Sequence, residues 1–282
     1  MIETILILYV RYFPINKGKT KLIEVCHKLF KFKKCLLFKH KYGFMMNLDL
    51  SQFVDRQIYF FGVYEDYILN LIAFLKNDAA FFIDVGANIG QHSLYASCVE
   101  GLQVHSFEAD PATYSKLCKN VEVNDAVESI HVNNLAVSDV NGYVSIVTPQ
   151  SENIGGNYIK ESIKEEGIKA VMLDEVVKSS SDFAGSGIVK IDVEGAEGKV
   201  LRGGEKFIKD KVSFILVEIC EVHLRRFGDN SIDLIRFLEG LGFTGFLISN
   251  GNLLEIDLEN VPEFCEACFV VDDKLESIKA AL

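Results

Sequence analysis

Apolar and polar residues alternate along this 282-residue chain with periods that change from one stretch to the next. Residues 2–10 (IETILILYV) form a short, nearly continuous apolar run. From Lys21 to Phe38, apolar residues at 22, 23, 25, 26, 29, 30, 32, 36 and 37 are interleaved with lysines, which predicts an amphipathic basic helix. Phe44, Met46, Leu48 and Leu50 fall on every second position, the period of a half-buried strand. Glu65–Lys76 is apolar over most of its circumference and predicts a largely buried helix. Residues 1–78 are therefore expected to form an N-terminal extension packed on a main domain of residues 79–282.

From residue 79 onward, short apolar runs alternate with amphipathic ones. Strands are predicted at Ala80–Val85, Gln103–Phe107, Ser129–Leu135, Val144–Val147, Ile168–Leu173, Gly187–Val193, Val212–Ile219, Phe243–Ile248 and Phe264–Val271. Helices are predicted at 90–99, from Pro111 to about Val123, at 196–208 and at 231–240; proline favours the first turn it would occupy. The polar stretch 149–167 reads as a surface loop. Strands with little polar alternation, separated by helices, predict an α/β fold with a parallel sheet covered on both faces. No internal repeat is visible.

Composition narrows the class. With 49% hydrophobic and 24% charged residues, disordered, collagen-like and coiled-coil architectures are excluded. No apolar run approaches the roughly 20 residues of a spanning helix. Residues 2–10 carry Glu3 and lack a basic leader and a cleavage site, so no secretory signal is expected. Seven cysteines without framework spacing predict reduced thiols and a cytoplasmic setting. Cys265 and Cys268 have half the ligand count of a structural zinc site and read as buried thiols.

The net charge of −11 is unevenly spread. Between Arg11 and Lys41, ten Lys/Arg stand against one acid, Glu24, a local balance of +9. Residues 42–282 hold 19 basic and 38 acidic residues. So acidic a body excludes nucleic acid as a partner, because phosphate neutralisation needs clustered cations. The basic front end suits peripheral contact with an anionic membrane, at its inner face, or with a phosphorylated substrate. Lysines on a solvated helix face are the simpler account of it.

Three strand ends carry the candidate chemistry. The first is Phe82-Ile83-Asp84-Val85-Gly86-Ala87-Asn88-Ile89-Gly90, between a strand and a helix. Asn88 stands where a dinucleotide site has its second glycine, so the pyrophosphate-binding turn is absent. A ligand with an ammonium group and no phosphate would use the Asp84 carboxylate and nearby carbonyls. The second is Phe107-Glu108-Ala109-Asp110-Pro111. Glu108 is placed to accept from both hydroxyls of a ribose, and Asp110 to cap the helix that Pro111 opens. The third is Lys190-Ile191-Asp192-Val193-Glu194-Gly195-Ala196-Glu197. Glu197 suits the positive end of the following helix, whereas Asp192 and Glu194 have no comparable structural role.

Together these strings resemble the FkbM-type family of S-adenosylmethionine-dependent methyltransferases. DVGANIGQHSL (84–94), FEADP (107–111), NLAVSD (134–139), KIDVEGAE (190–197) and LVEI (216–219) occur in the family's order, with IYFFGVYE (58–65) upstream. The resemblance spans about residues 44–271 and implies a Rossmann-like class I methyltransferase fold. That means a seven-stranded, mostly parallel sheet with one antiparallel strand near the end, helices on both faces, and here an N-terminal helical extension. It further implies S-adenosyl-L-methionine as cofactor and O-methylation of a sugar, glycan, lipid-linked saccharide or polyketide-like metabolite. On this chain it puts the methionine part of the cofactor against Asp84, Gly86, Asn88 and Gly90 and the ribose on Glu108. The adenine would lie near Leu135–Val137, centred on Ala136, and the sulfonium near Asp192.

Methyl transfer to oxygen needs a base for the hydroxyl proton. His223 is the first candidate, since imidazole titrates near neutrality; Glu194 and Glu218 are its rivals, and Asp192 is placed to orient the acceptor. His92 reads as a packing or capping residue, and Glu65 as a surface carboxylate or one that closes over the cofactor. Asp192, Glu194 and Glu218 have ligand chemistry for a divalent cation, but their spacing does not require one, and no metal site is assigned. A nucleotide-binding oxidoreductase or a non-catalytic cofactor-binding module is the alternative from another class.

Overall fold

A computed structural model describes residues 2–14, 17–32, 34–147, 158–161, 167–178, 182–249 and 252–279. Its N-terminal part runs α1 (Ile2–Tyr12), α2 (Lys19–Phe30), β1 (Cys35–Lys39), β2 (Met45–Asp49), α3 (Phe53–Phe61) and α4 (Asp66–Leu75). The basic helix expected over 21–38 is only half right. Lys31 adopts a left-handed conformation (φ 46°) and donates its N–H to the His27 carbonyl, ending α2. Residues 35–39 then switch to strand period and pair antiparallel with β2, Leu36 opposite Leu48 and Phe38 opposite Met46. The nine apolar positions mixed two periods, and the helical one hid the other.

Two asparagines hold this hairpin, Asn120 on a core helix (Pro111–Glu122) and Asn124 in the turn that follows it. Met45 N–H donates to Asn124 Oδ1 and Asn124 Nδ2 returns to the Met45 carbonyl, both at 2.7 Å. Asn47 N–H donates to Asn120 Oδ1 at 2.6 Å, while Asn120 Nδ2 donates to the Ile89 carbonyl at 2.8 Å. An exposed strand edge is thereby satisfied, and the hairpin is tied to the loop at 86–90.

The core alternates β3 (Phe81–Val85), α5 (Gln91–Leu94), β4 (Gln103–Phe107), α6 (Pro111–Glu122) and β5 (Ile130–Asn133). A side sheet follows: β6 (Ala136–Val137), β7 (Gly142–Val147), β8 (Tyr158–Glu161), β9 (Ile168–Val171), then α7 (Leu173–Val177). The chain returns through β10 (Gly187–Ile191), α8 (Glu197–Gly203), α9 (Glu205–Lys211), β11 (Val212–Cys220), α10 (Glu221–Leu224) and α11 (Ser231–Gly240). It ends with β12 (Phe243–Ser249), β13 (Asn252–Glu255), β14 (Phe264–Val271) and α12 (Leu275–Lys279).

Every residue of β3 and β10 is buried, which requires cover on both faces of the sheet. The main sheet has the order β13-β12-β14-β11-β10-β3-β4-β5. β11, β10, β3, β4 and β5 are mutually parallel, and β14 lies antiparallel between β11 and β12. This is the class I methyltransferase arrangement with an eighth strand added, β13, antiparallel to β12. β13 buries only Leu253, too little apolar signal to be read from sequence.

One face of the sheet joins the N-terminal helices in a common core, with Leu6, Ile23, Phe60 and Ile72 packing in the same cluster as Phe82, Leu94 and Leu216. The other face packs Phe81, Ile83 and Ile191 against Phe207 and Ile235. Two other expectations change. Residues 158–161, expected in a loop, pair with β7 in the four-stranded sheet β6-β9-β7-β8; residues 149–157 and 162–166 of that stretch lie outside the described residues. The single helix expected at 196–208 is two, separated at Gly203–Gly204, where two weak helix formers adjoin.

Candidate active site

The carboxyl ends of β3, β4 and β10 meet at one crevice edge, where open α/β sheets bind ligands. Gly86 has φ +84°, and a Cβ there would lie 1.8 Å from the Asp192 carbonyl oxygen, so only glycine lets the loops after β3 and β10 touch. The Gly86 and Ala87 N–H groups donate to the Phe107 carbonyl at 2.9 and 3.0 Å, and Asp192 N–H to that of Val85 at 3.0 Å. Backbone hydrogen bonds thus lock the three loops together.

These loops wall a cavity of about 220 Å³. Gly86, Asn88, Glu108, Ala136, Asp192 and Glu194 line it, with Phe53 and Tyr64 from the N-terminal part and Ile146 and Ile159 from the side sheet. Glu108 Oε2 accepts from Asn88 N–H at 2.9 Å and Oε1 from Asp110 N–H at 2.8 Å. Each carboxylate oxygen keeps acceptor capacity for a further donor. Burial nevertheless pushes the Glu108 carboxyl up to about 7. Asp110 caps α6, accepting from the Thr113 N–H at 3.2 Å.

Two residues expected at the cofactor lie outside the cavity lining. Gly90 precedes α5 and packs on Leu117, outside the cavity lining. Asp84 is fully buried beneath the loop and does not line the cavity. Its Oδ2 accepts from Ser93 Oγ at 2.5 Å, while Oδ1 has no hydrogen-bond partner. Its carboxyl is raised by burial, against the lowering effect of the Lys190 ammonium.

That lysine was missed. Lys190, between Val189 and Ile191 in an all-buried strand, is 4% exposed and donates from Nζ to Asp192 Oδ2 at 3.0 Å. Burial works to lower its pKa; Asp192, Glu65, Asp84 and Glu266 overcome this and hold the ammonium above its ordinary value. Glu65, expected either at the surface or closing over the cofactor, is not at the surface: its side chain is only 9% exposed, with Oε2 3.4 Å from His92 Nε2. Burial raises Glu65 to about 8 and, with help from Lys190, depresses His92 well below its usual value. The sequence clue was a lysine inside an apolar strand, a position that needs buried counter-charge.

Asp192 and Glu194 face the cavity, whereas His223 stands behind them, outside the lining. Gly195 (φ +113°) would place a Cβ 2.4 Å from the His223 carbonyl oxygen, so the β10–α8 turn presses against α10. The turn brings His223 Nδ1 within 3.1 Å of Glu194 Oε2. Burial, then Asp192 and Glu197, raise Glu194 to about 7; burial and Arg226 lower His223. Glu218 is raised to about 9 by burial and by Asp192, Glu266 and Glu194. Ligand atoms of Glu194, Glu218 and His223 lie within 4.8 Å of one another, a grouping capable of holding a divalent cation that spacing alone did not demand. Glu197, the first residue of α8, turns back instead: its Oε1 accepts from the Val193 and Gly195 N–H groups of the preceding turn, both at 3.1 Å.

Residues 84–244 match the family model described as Methyltransferase FkbM domain, and the chain belongs to that family. It is similar to Methyltransferase 1 of Beauveria bassiana, 27% identical over 168 residues, covering 51% of this chain and 66% of that protein. It is also similar to the hexuronic acid methyltransferase AglP of Haloferax volcanii, 31% identical over 136 residues, covering 48% of this chain and 54% of that protein. A third relative is the 31-O-demethyl-FK506 methyltransferase FkbM of Streptomyces tacrolimicus, 26% identical over 232 residues, covering 71% of this chain and 84% of that protein. The chain thus spans less than two thirds of the length of the first two. Among solved structures, human methyltransferase 10 domain containing protein aligns at 13% identity and TM-score 0.46, covering 91% of this chain and 98% of that one. M. capricolum TrmK, solved with S-adenosyl-homocysteine, aligns at 11% identity and TM-score 0.42, covering 73% and 68%.

Proposed function

We propose that this chain is an S-adenosylmethionine-dependent O-methyltransferase acting on a hydroxyl of a sugar, glycan or lipid-linked saccharide. The observation that carries the reading is the crevice-edge cavity, with Glu108 on one side and the Asp192–Glu194 carboxylates on the other. The residues present suit the cofactor. Glu108 is pre-oriented by two backbone N–H donors and has acceptor capacity for a ribose diol, and the Gly86–Asn88 backbone leaves open space beside it. When bound, the cofactor supplies an electrophilic methyl group on a sulfonium. Asp192 and Glu194 provide negative potential for that cation.

Glu194 faces the cavity and is the group we assign to take the acceptor's hydroxyl proton, at its carboxylate. His223 Nδ1 stands 3.1 Å behind Glu194 Oε2, close but outside hydrogen-bond geometry, and we assign it to position that carboxylate. His223, the first candidate for the base, becomes a positioning residue in this reading. His223→Ala is accordingly expected to lower kcat with little change in KM and to shift the acid limb of the pH profile; an unmoved profile would contradict the assignment.

The saccharide reading draws on the hexuronic acid methyltransferase among the relatives. The second reading, a polyketide-like small metabolite, draws on the relative named for FK506. Incubation with S-adenosylmethionine and either a hexuronic-acid glycan or a macrolide separates them, by which acceptor gains a methyl ether. Glu108→Ala should weaken cofactor binding by about 1.5–3 kcal/mol, the range for hydrogen bonds to a charged group. Calorimetric titration that finds unchanged affinity would contradict the ribose assignment.

Peripheral contact with an anionic membrane belongs to the same proposal. Among the described residues no single helix is long and apolar enough to cross a membrane. α1 and α2 nonetheless expose Ile5, Leu8, Leu29 and Phe30, at 58, 54, 71 and 53%. Lys21, Lys28 and Lys31 are exposed on the same segment. Not every cation there is available. Lys19 is buried, donating to the Val10 carbonyl at 2.7 Å, and Arg11 donates to the carbonyls of Phe60 and Tyr59. With about 1 kcal/mol from each lysine near an anionic surface, the chain should co-sediment with anionic vesicles at low salt and be released at high salt. Equal partitioning to neutral vesicles would leave these helices only their role in the core.

A further inference from the structure

A second cluster of ligating side chains lies away from the cofactor cavity. His105 in β4 and His131 in β5 are register partners on adjacent parallel strands, so their imidazoles emerge side by side from the same face, with ring centroids 4.8 Å apart. Asp182, on the chain leading into β10, approaches both. Its Oδ2 is 3.4 Å from His105 Nε2 and 3.8 Å from His131 Nε2. The neighbouring Phe183 anchors that approach, packing on His105, Phe81 and Phe207 with centroids 4.5, 5.2 and 5.3 Å away.

The set has an unmet requirement. His105 is 6% exposed, yet its Nε2, aimed at the cluster, has no hydrogen-bond partner. A buried polar atom without a partner costs about 1–3 kcal/mol. A cation bound by all three groups would satisfy it. Ligands at 2.0–2.1 Å from a tetrahedral ion stand roughly 3.3–3.4 Å apart, close to the observed 3.4 and 3.8 Å. Two imidazole nitrogens and one carboxylate oxygen suit a borderline divalent transition ion, not the all-oxygen preference of magnesium or calcium.

We propose that His105, His131 and Asp182 form a binding site for a zinc-class divalent ion, which pins the segment before β10 to the edge of the main sheet. Three protein ligands leave a fourth position, which water would fill from the side of the exposed His131, as in three-ligand zinc sites. Nothing in this site depends on the methyltransferase reading, since none of its residues lines the cofactor cavity.

The test uses the full chain without a polyhistidine tag, stripped with chelator and titrated calorimetrically with ZnCl2. One equivalent should depend on His131, and His131→Ala should weaken it by more than about 100-fold, beyond the 10–100-fold that an outer-shell partner costs. Asp182→Asn, also at an exposed position, should weaken the same equivalent, and both should abolish tetrahedral Co²⁺ absorption bands. His223→Ala should retain the equivalent, which separates this site from the Glu194–Glu218–His223 group. Failure of the wild type to bind, affinity unchanged in both His131→Ala and Asp182→Asn, or loss of the tight equivalent in His223→Ala would overturn the proposal.

Discussion

Glu194→Gln is expected to lower kcat by about 10²–10⁴-fold, the contribution of a positioned general base, with little effect on affinity for the demethylated product, which carries no sulfonium charge. The amide keeps the side chain's shape and cannot accept the proton. Because burial and the neighbouring acids raise Glu194 to about 7, the proposed base is half-ionised near that pH and mostly ionised above it. Wild-type activity should therefore climb through about pH 7 and level off on the alkaline side. The rise should vanish in Glu194→Gln, leaving a low and flatter profile. A variant that keeps wild-type turnover and the same acid limb would move the base to Glu218 or His223.

The second large effect is on stability. Lys190→Met removes the ammonium around which Asp192, Glu65, Asp84 and Glu266 are arranged. Breaking a buried ionic cluster by removing one partner costs about 3–5 kcal/mol, a large share of the roughly 5–15 kcal/mol that holds a domain together. Lys190 lowers the pKa of Glu65 and Asp84, so its loss drives both further upward. Carboxyls with folded-state pKa values above their unfolded ones bind more protons when folded, so stability is lost as pH rises through the folded values. Urea unfolding should thus show a deficit that is small in acid and grows through neutrality. Equal stability of variant and wild type at pH 8 would show that the carboxylates have other compensation.

The parallel core was legible because its strands are nearly uninterrupted apolar runs between helices. β4 and α11 fall within a residue of their expected ends. Elements with weak or mixed patterns were not. β1 was absorbed into a helix because Leu36 and Leu37 continue the apolar spacing of α2 in one dimension, and only pairing with β2 decides otherwise. Residues 158–160 of β8 are only half-buried or exposed, and the strand pairs with β7 through its backbone.

At the site, position along the motifs placed Asn88, Glu108, Ala136, Asp192 and Glu194 at one cavity, since strand ends in a parallel sheet converge on one edge. Burial was not readable in the same way. Asp84 belongs to the strongest motif yet sits beneath the cavity, on Ser93. Its partner charge, Lys190, is six residues short of Ala196 in a motif read mainly for its acids. The pairing of Glu65 with His92 and of Glu194 with His223 needs contacts between elements distant in sequence, which no local pattern encodes.

On the proposed function, the crevice-edge cavity binds a sulfonium nucleoside and not a dinucleotide. Calorimetric titration of the wild-type chain and Glu108→Ala with S-adenosylmethionine, its demethylated product and a nicotinamide dinucleotide tests it most directly. The account predicts one equivalent of S-adenosylmethionine or its product per wild-type chain, weakened in Glu108→Ala, and no dinucleotide binding. Dinucleotide binding without any binding of the sulfonium compound or its product would contradict it.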